Sequence, residues 1–219
     1  MQKNLIVALF ALLAANLACN FTNPLTTDNN VLYQDDFSDT SSGWARSTDA
    51  DGITDYHNDA YRIRVDTIGS DETGMDMWAY AGVDLQGDVR IEVDVTKMDG
   101  PIENDMGVLC RYSQINDAHN FYYFLITSDG YAAIFKMKDS NPEMISGEEW
   151  QPSNAIKATV VNYLRADCIG DKLTLYVNGN EVLTATDSEF TGGDVGLIAG
   201  TFEEPGVDIR FDNLKVTRP

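Results

Sequence analysis

The sequence is poor in the residues on which much protein chemistry depends. Among its 219 residues are two histidines and three cysteines, and Lys and Arg number 15 against 35 Asp and Glu. A formal net charge of −20 excludes a phosphate-neutralising surface, and with it nucleic-acid binding. The same balance excludes adhesion to anionic lipid through a basic patch. No CxxC, HExxH, Walker or dinucleotide-binding motif occurs, which removes the zinc, phosphate and nicotinamide sites that a sequence can announce. No nucleophile-elbow motif lies near His57 or His119. Outside the N-terminus no segment sustains a 3.6-residue apolar period, so the body of the chain is not helical. The one long apolar run, Leu5 to Ala15, is shorter than the ~20 residues that span a bilayer.

That run belongs to an N-terminal address. Lys3 supplies a positive start, Leu5 to Ala15 the apolar stretch, and Leu17-Ala18-Cys19 puts small and aliphatic residues directly before a cysteine. The arrangement resembles a bacterial lipoprotein signal, which is cut before the cysteine so that the thiol can carry a diacylglycerol. It implies a helical signal peptide over 1–18, lipidation at Cys19, and anchorage to the cell membrane on its extracytoplasmic side. An ordinary secretory signal cut near Ala18 is the other reading of the segment. Residues 19–30 carry turn and linker residues with little apolar periodicity, which predicts a flexible tether. Cutting after Ala18 removes one lysine and no acid, making the mature chain slightly more acidic still.

From Val31 onward the dominant pattern has period two. In Val89 to Thr96 the residues Val89, Ile91, Val93 and Val95 share one face and Arg90, Glu92, Asp94 and Thr96 the other. Similar patterns mark Tyr61–Asp66, Gly107–Tyr112, Asn120–Thr127, Tyr131–Lys138, Lys157–Cys168, Lys172–Val177, Glu181–Thr186, Val195–Thr201 and Val207–Val216. Turn residues fall between them, and Asn178-Gly179 is the strongest short hairpin signal. About ten short strands without intervening helices predict an all-β domain over 31–219, an antiparallel β-sandwich.

Several segments, DDFSDTSSGW from Asp35, GVLCRY with NFYYFLITSDGYAAI, NYLRADCIGDKLTLYVNGNEV, and GDVGLIAGTFEEPGVDIRFDNLKV, resemble concanavalin A-like jelly-roll modules. More narrowly, they resemble the 3-keto-disaccharide hydrolase-type domain of bacterial envelope lipoproteins. The resemblance implies a jelly roll over roughly Leu32 to Thr217 and a carbohydrate-related role. Its motifs serve turns and core, so they speak to fold more than to function.

After Cys19 only Cys110 and Cys168 remain, an even pair in an oxidising compartment, and a disulfide is expected between them; two separately buried thiols are the alternative. Laminarinase-type jelly rolls hydrolyse with ExDxxE on one strand. Here Glu92 and Asp94 are followed by Lys97 where the third acid belongs, and a lysine cannot serve as the carboxylic acid of that mechanism. Sugar recognition uses aromatic faces with polar partners, and Trp78 and Tyr80 alternate so as to share one strand face. Arg111 follows Cys110, so with Cys110 buried it looks outward over the concave sheet. Tyr122 with Phe124, or else Phe121 with Tyr123, lines the same surface, and the sequence leaves the register open. His119 stands where it could join such a groove, whereas His57 reads as a loop residue. Trp44 reads as a buried anchor for the first strand and Trp150 as a partly exposed loop residue. Asp35, Asp36 and Asp212 offer hard oxygen ligands to a structural calcium if the first and last strands pair. The function expected is a lipid-anchored module that binds carbohydrate or another envelope ligand without catalysis. The alternatives are a glycoside hydrolase of the 3-keto-disaccharide type and a structural or partner-binding lipoprotein domain.

Overall fold

The computed structural model describes residues 30–69 and 74–219. The signal segment, Cys19 and the tether up to residue 29 lie outside the described residues, as does 70–73. The described residues form strands and turns only. In chain order the strands are β1 (Val31–Asp35), β2 (Ser47–Thr48), β3 (Gly52–Tyr56), β4 (Tyr61–Val65), β5 (Met75–Tyr80) and β6 (Leu85–Gln86). There follow β7 (Val89–Asp99), β8 (Asp105–Ile115), β9 (Ala118–Thr127), β10 (Tyr131–Lys138), β11 (Asn141–Met144) and β12 (Gln151–Pro152). The last are β13 (Asn162–Ile169), β14 (Lys172–Val177), β15 (Asn180–Thr186), β16 (Gly192–Thr201) and β17 (Val207–Thr217).

Two antiparallel sheets result. The first runs β15-β14-β13-β7-β17-β4-β3-β2, with β1 also on β17; the second runs β11-β10-β9-β8-β16-β5, with β12 on β10 and β6 on β16. The first and last strands do pair, with Val31 opposite Thr217. The alternation in β7 works as its sequence implies: Val89, Ile91, Val93 and Val95 are buried between the sheets while Arg90, Glu92 and Asp94 face outward. At the β14–β15 hairpin, Asn178 and Gly179 take φ of 51° and 82°, the left-handed pair that a tight primed turn requires.

Other features depart from the sequence pattern. Residues 157–161 are not strand, although the run from Lys157 reads as one. The Asn162 side chain clasps them, accepting from the Lys157 N–H at 2.8 Å and donating to the Lys157 carbonyl at 2.8 Å. Trp44 is buried, as expected of an anchor, and its indole N–H reaches the Asp35 carboxylate and the Tyr33 hydroxyl, both at 3.0 Å. The Cys110–Cys168 disulfide ties β8 of the second sheet to β13 of the first, a staple across the sandwich.

The strand β9 shows no alternation because both of its faces are covered. Tyr122, Phe124 and Ile126 enter the core between the sheets, while Phe121, Tyr123 and Leu125 join a second apolar cluster on the far side. Hence the second sheet carries aromatic side chains on its outer face, where a sheet facing water is ordinarily polar.

Candidate functional site

That outer face is built by register. Trp78 and Tyr80 of β5 project onto it together, and opposite them on β16 stand Ile198 and Gly196. An aromatic path crosses the face: Tyr80 stacks on Tyr112 at 4.7 Å, Tyr112 meets Phe121 at 5.7 Å, and Phe121 meets Tyr123 at 5.3 Å. It continues through Phe135, stacked on Tyr123 at 5.1 Å, to Trp150 at 5.7 Å. Trp78 packs edge-on against His119 at 5.0 Å, and His119 Nδ1 is hydrogen-bonded to the Tyr112 hydroxyl at 3.1 Å. His119 thus belongs to the face, and His57 lies in the β3–β4 turn, its backbone N–H on the Ala60 carbonyl.

Two of the expected ligand residues are elsewhere. Arg111 does not look outward. A β-bulge between Cys110 and Ser113 puts Arg111 at φ 57°, so both Cys110 and Arg111 turn inward and Tyr112 takes the outward position. The Arg111 guanidinium is 2% exposed and donates to the carbonyls of Phe190 (2.7 Å), Gly170 (3.0 Å) and Cys168 (3.2 Å). Burial pulls its pKa below the usual arginine value, although the Tyr122 and Asp88 side chains oppose that. Tyr122 is likewise buried in the core, with its ring beneath that guanidinium and its hydroxyl donating to Asp187. Both residues brace the sandwich. Of the two register choices, Phe121 with Tyr123 is the outward pair.

The structure also brings together two carboxylates that no local pattern joins. Asp76 of β5 and Asp105 of β8 both lie opposite Gly200 of β16, on the same outer face as Trp78 and Leu109. Asp76 Oδ1 lies 2.1 Å and Asp105 Oδ1 3.0 Å from the point that a Cβ on residue 200 would occupy. Only glycine leaves room there, and the two oxygens are at most about 5 Å apart. Asp105 is buried and its Oδ1 has no hydrogen-bond partner. Burial pushes the Asp76 carboxyl up to about 6. Burial, then the neighbouring Asp76 charge, pushes Asp105 well above the usual carboxylate range. The pair therefore tends to hold a proton between its members.

A cavity of about 510 Å³ opens beside the pair, at Thr127, the register partner of Asp105. Its walls come from four connections, among them Glu103 and Asn104 before β8, Asp129 after β9, Trp150 before β12 and Glu203 after β16. Asn104 fixes two of these loops together. Its side-chain amide donates to the carbonyls of Gly206 (3.0 Å) and Glu204 (3.1 Å), and its oxygen accepts the Phe202 N–H at 2.8 Å.

The other acids are differently employed. The Asp35 carboxylate turns inward to Trp44 and accepts from the Phe37 N–H at 2.8 Å, whereas exposed Asp36 accepts from Ser38. Asp212 lies opposite Asp94, its pKa raised by burial and then by the charges of Asp94 and Asp36. Asp35 and Asp36 thus point to different surroundings, and among the described residues no three His, Cys, Asp or Glu side chains gather to hold a metal. Glu92 accepts from the Tyr163 hydroxyl and Asp94 from the Asn213 amide (3.0 Å), both on the outer face of the first sheet, away from the aromatic face. Lys97 points its ammonium at the carbonyls of Pro101 and Asn104.

No protein-family model and no curated protein sequence matches this chain. Solved structures do. A carbohydrate-binding module of Bacillus subtilis, CBM66, is similar at 20% identity and a TM-score of 0.57, with 81% of this chain and 96% of that one covered. A β-glucanase of Bacillus licheniformis is similar at 8% identity and a TM-score of 0.62, covering 85% and 98%. A Bacillus subtilis protein of unknown function with a galectin-like fold gives 10% and 0.62, covering 86% and 96%. The fold is a concanavalin A-like jelly roll. At these identities the likeness is one of fold. Within the jelly roll, the alternation of Trp78 and Tyr80 in β5 and the dense aromatics of β9 are the sequence signals for this face, whereas the outward residues of β8, β10 and β16 carry none.

Proposed function

We propose that the outer face of the second sheet holds a glycan, without catalysis, in a protein lipid-anchored through Cys19 outside the cytoplasm. The observation that carries this reading is the aromatic path from Tyr80 to Trp150, in which half-buried Tyr80, Phe135 and Trp150 reach solvent over buried Tyr112, Phe121 and Tyr123 and which ends at a cavity. Aromatic faces stack on the C–H planes of sugar rings, and carboxylates such as Asp76 and Asp105 accept from hydroxyls. The kinship of fold with a carbohydrate-binding module and with a glucanase supports the ligand class. The cross-sheet disulfide suits an oxidising compartment. Trp78→Ala is expected to weaken binding by about tenfold or more while leaving the unfolding transition cooperative. Titration of the purified full chain with a panel of soluble oligosaccharides checks this; wild type and variant binding equally would sink it. For the anchor, Cys19→Ser is expected to release the chain from the membrane fraction, read by fractionation and by the loss of lipid mass.

A second reading is favoured by the carboxylate spacing. The Asp76 and Asp105 Oδ1 atoms are at most about 5 Å apart, and retaining glycoside hydrolysis uses two carboxyls ~5–5.5 Å apart, the protonated one giving its proton to the leaving oxygen and the ionised one attacking the sugar. Release of free sugar from a 3-keto-glucoside, lost in Asp105→Asn, decides for that reading over binding alone.

A further inference from the structure

The cavity and the point where the chain enters the domain lie at opposite ends of the sandwich. β7 and β17, eleven residues each, run antiparallel along its length. At one end Val31 of β1 lies opposite Thr217, and Thr217 opposite Arg90 near the start of β7. The Arg218 N–H donates to the Asn30 carbonyl at 2.7 Å, so the chain arrives at this end. At the other end β7 closes at Asp99, opposite Asp208, and leads to Pro101, Glu103 and Asn104 on the cavity wall. The β16–β17 connection brings Phe202, Glu203 and Glu204 to the same wall. At ~3.3 Å per residue, the length of β7 puts roughly 33 Å between the two ends.

That length exceeds what the connection to an anchor can readily turn back over. From Cys19 to Asn30 the sequence has twelve residues. A chain of that length spans about 20 Å as a coil and about 40 Å at full stretch. Turning the cavity mouth down onto the membrane needs the connection to run past the whole domain almost fully extended. Laying the domain flat presses a chain of net charge −20 onto anionic headgroups, and the cavity end adds exposed Glu103, Asp129, Glu203 and Glu204. Resting on the anchored glycan reading, we infer that the cavity end faces away from the membrane that holds the chain. Its ligand is a glycan polymer displayed beyond that membrane, and not the headgroup of a glycolipid beside the anchor.

The test places the mature, acylated chain in vesicles of phosphatidylcholine and phosphatidylglycerol. With Cys19 acylated and Cys110 bridged to Cys168, Ile102→Cys and Asp171→Cys each leave one free thiol for a fluorophore. Ile102 is exposed beside the cavity, and Asp171 is exposed in the β13–β14 turn at the chain-entry end. Energy transfer to an acceptor-labelled lipid is expected to be several-fold stronger from position 171 than from position 102. The best-binding soluble oligosaccharide, coupled to phosphatidylethanolamine, is then placed in the same vesicles or in separate ones. The chain is expected to gather the separate vesicles, and glycolipid in its own vesicle to leave that gathering unchanged. Inserting about thirty Gly and Ser residues after Pro24 raises the coil span to about 35 Å and is expected to let same-vesicle glycolipid compete. Equal transfer from the two positions, or competition by same-vesicle glycolipid in the unaltered chain, overturns the placement and leaves the glycan reading standing. No oligosaccharide binding, or no lipid on Cys19, overturns the reading on which the placement rests and the placement with it.

Discussion

Replacing both bridge cysteines, Cys110→Ala with Cys168→Ala, is expected to lower stability by about 4 kcal/mol, the largest single loss we foresee. The bridge spans a sequence separation of 58. A loop of that length in the unfolded chain loses closure entropy worth ~4 kcal/mol when cross-linked. The location adds to the argument. The bridge is a covalent cross-link between sheets that also pack through their apolar faces, and Arg111, next to Cys110, holds the Cys168 carbonyl at 3.2 Å. Opening the bridge frees both strands at the bulge that aims Tyr112 outward. Guanidinium unfolding of wild type, wild type under reductant and the double variant checks it. The reduced protein and the variant should agree, and a loss under ~1 kcal/mol would show that packing alone sets the stability.

The β-sandwich was legible because its determinants are local. Val89 to Val95 declare a buried face by alternation, Asn178-Gly179 declares a turn by its backbone freedom, and Trp44 follows a strand that it then pins. The even pair of cysteines reads as a bridge on compartment alone. Orientation on the second sheet was not legible, for two reasons. Alternation cannot orient a strand whose two faces are both apolar, and β9 is such a strand. Alternation also fails across a bulge. Counting from Cys110 puts Arg111 outward, whereas the extra residue at φ 57° turns it inside and carries Tyr112 to the face.

The carboxylate pair was hidden for a different reason. Asp76 and Asp105 meet only because β16, far along the chain, lies between β5 and β8 and places Gly200 opposite both. Nothing in the spacing of the two aspartates encodes that. The acids that looked most like a motif, Glu92 and Asp94, are on the first sheet's outer surface, bonded to Tyr163 and Asn213. Local pattern thus identifies the scaffold, whereas the candidate site depends on strand order.

Asp105→Asn is expected to stabilise the fold at neutral pH by roughly 1–3 kcal/mol, the scale of a buried polar group left without a partner. The wild-type pair crowds two carboxyls into a poorly solvated notch, and Asp105 Oδ1 has nothing to bond. An asparagine removes one charge and supplies an amide N–H that can donate to Asp76. The pH dependence follows from the direction of the shifts. Asp76 rises from an unfolded value of ~3.9 to about 6, and Asp105 rises as well, so over that window the folded protein binds more protons than the unfolded one. The pair therefore costs nothing below about pH 4, and its cost grows as pH climbs through about 6 and persists above. Other acids, such as Asp167 beside Arg90 and Arg165, have lowered pKa values and change stability in the opposite sense, so the informative quantity is the difference between variant and wild type. That difference should be near zero at pH 4 and grow as the pH rises above it. A flat difference across the range, or a variant less stable at pH 7, would mean that the two carboxyls are not strained against one another. A gain in stability accompanied by weaker binding of a glycan oligomer would identify the strain as the cost of a site held ready for its ligand.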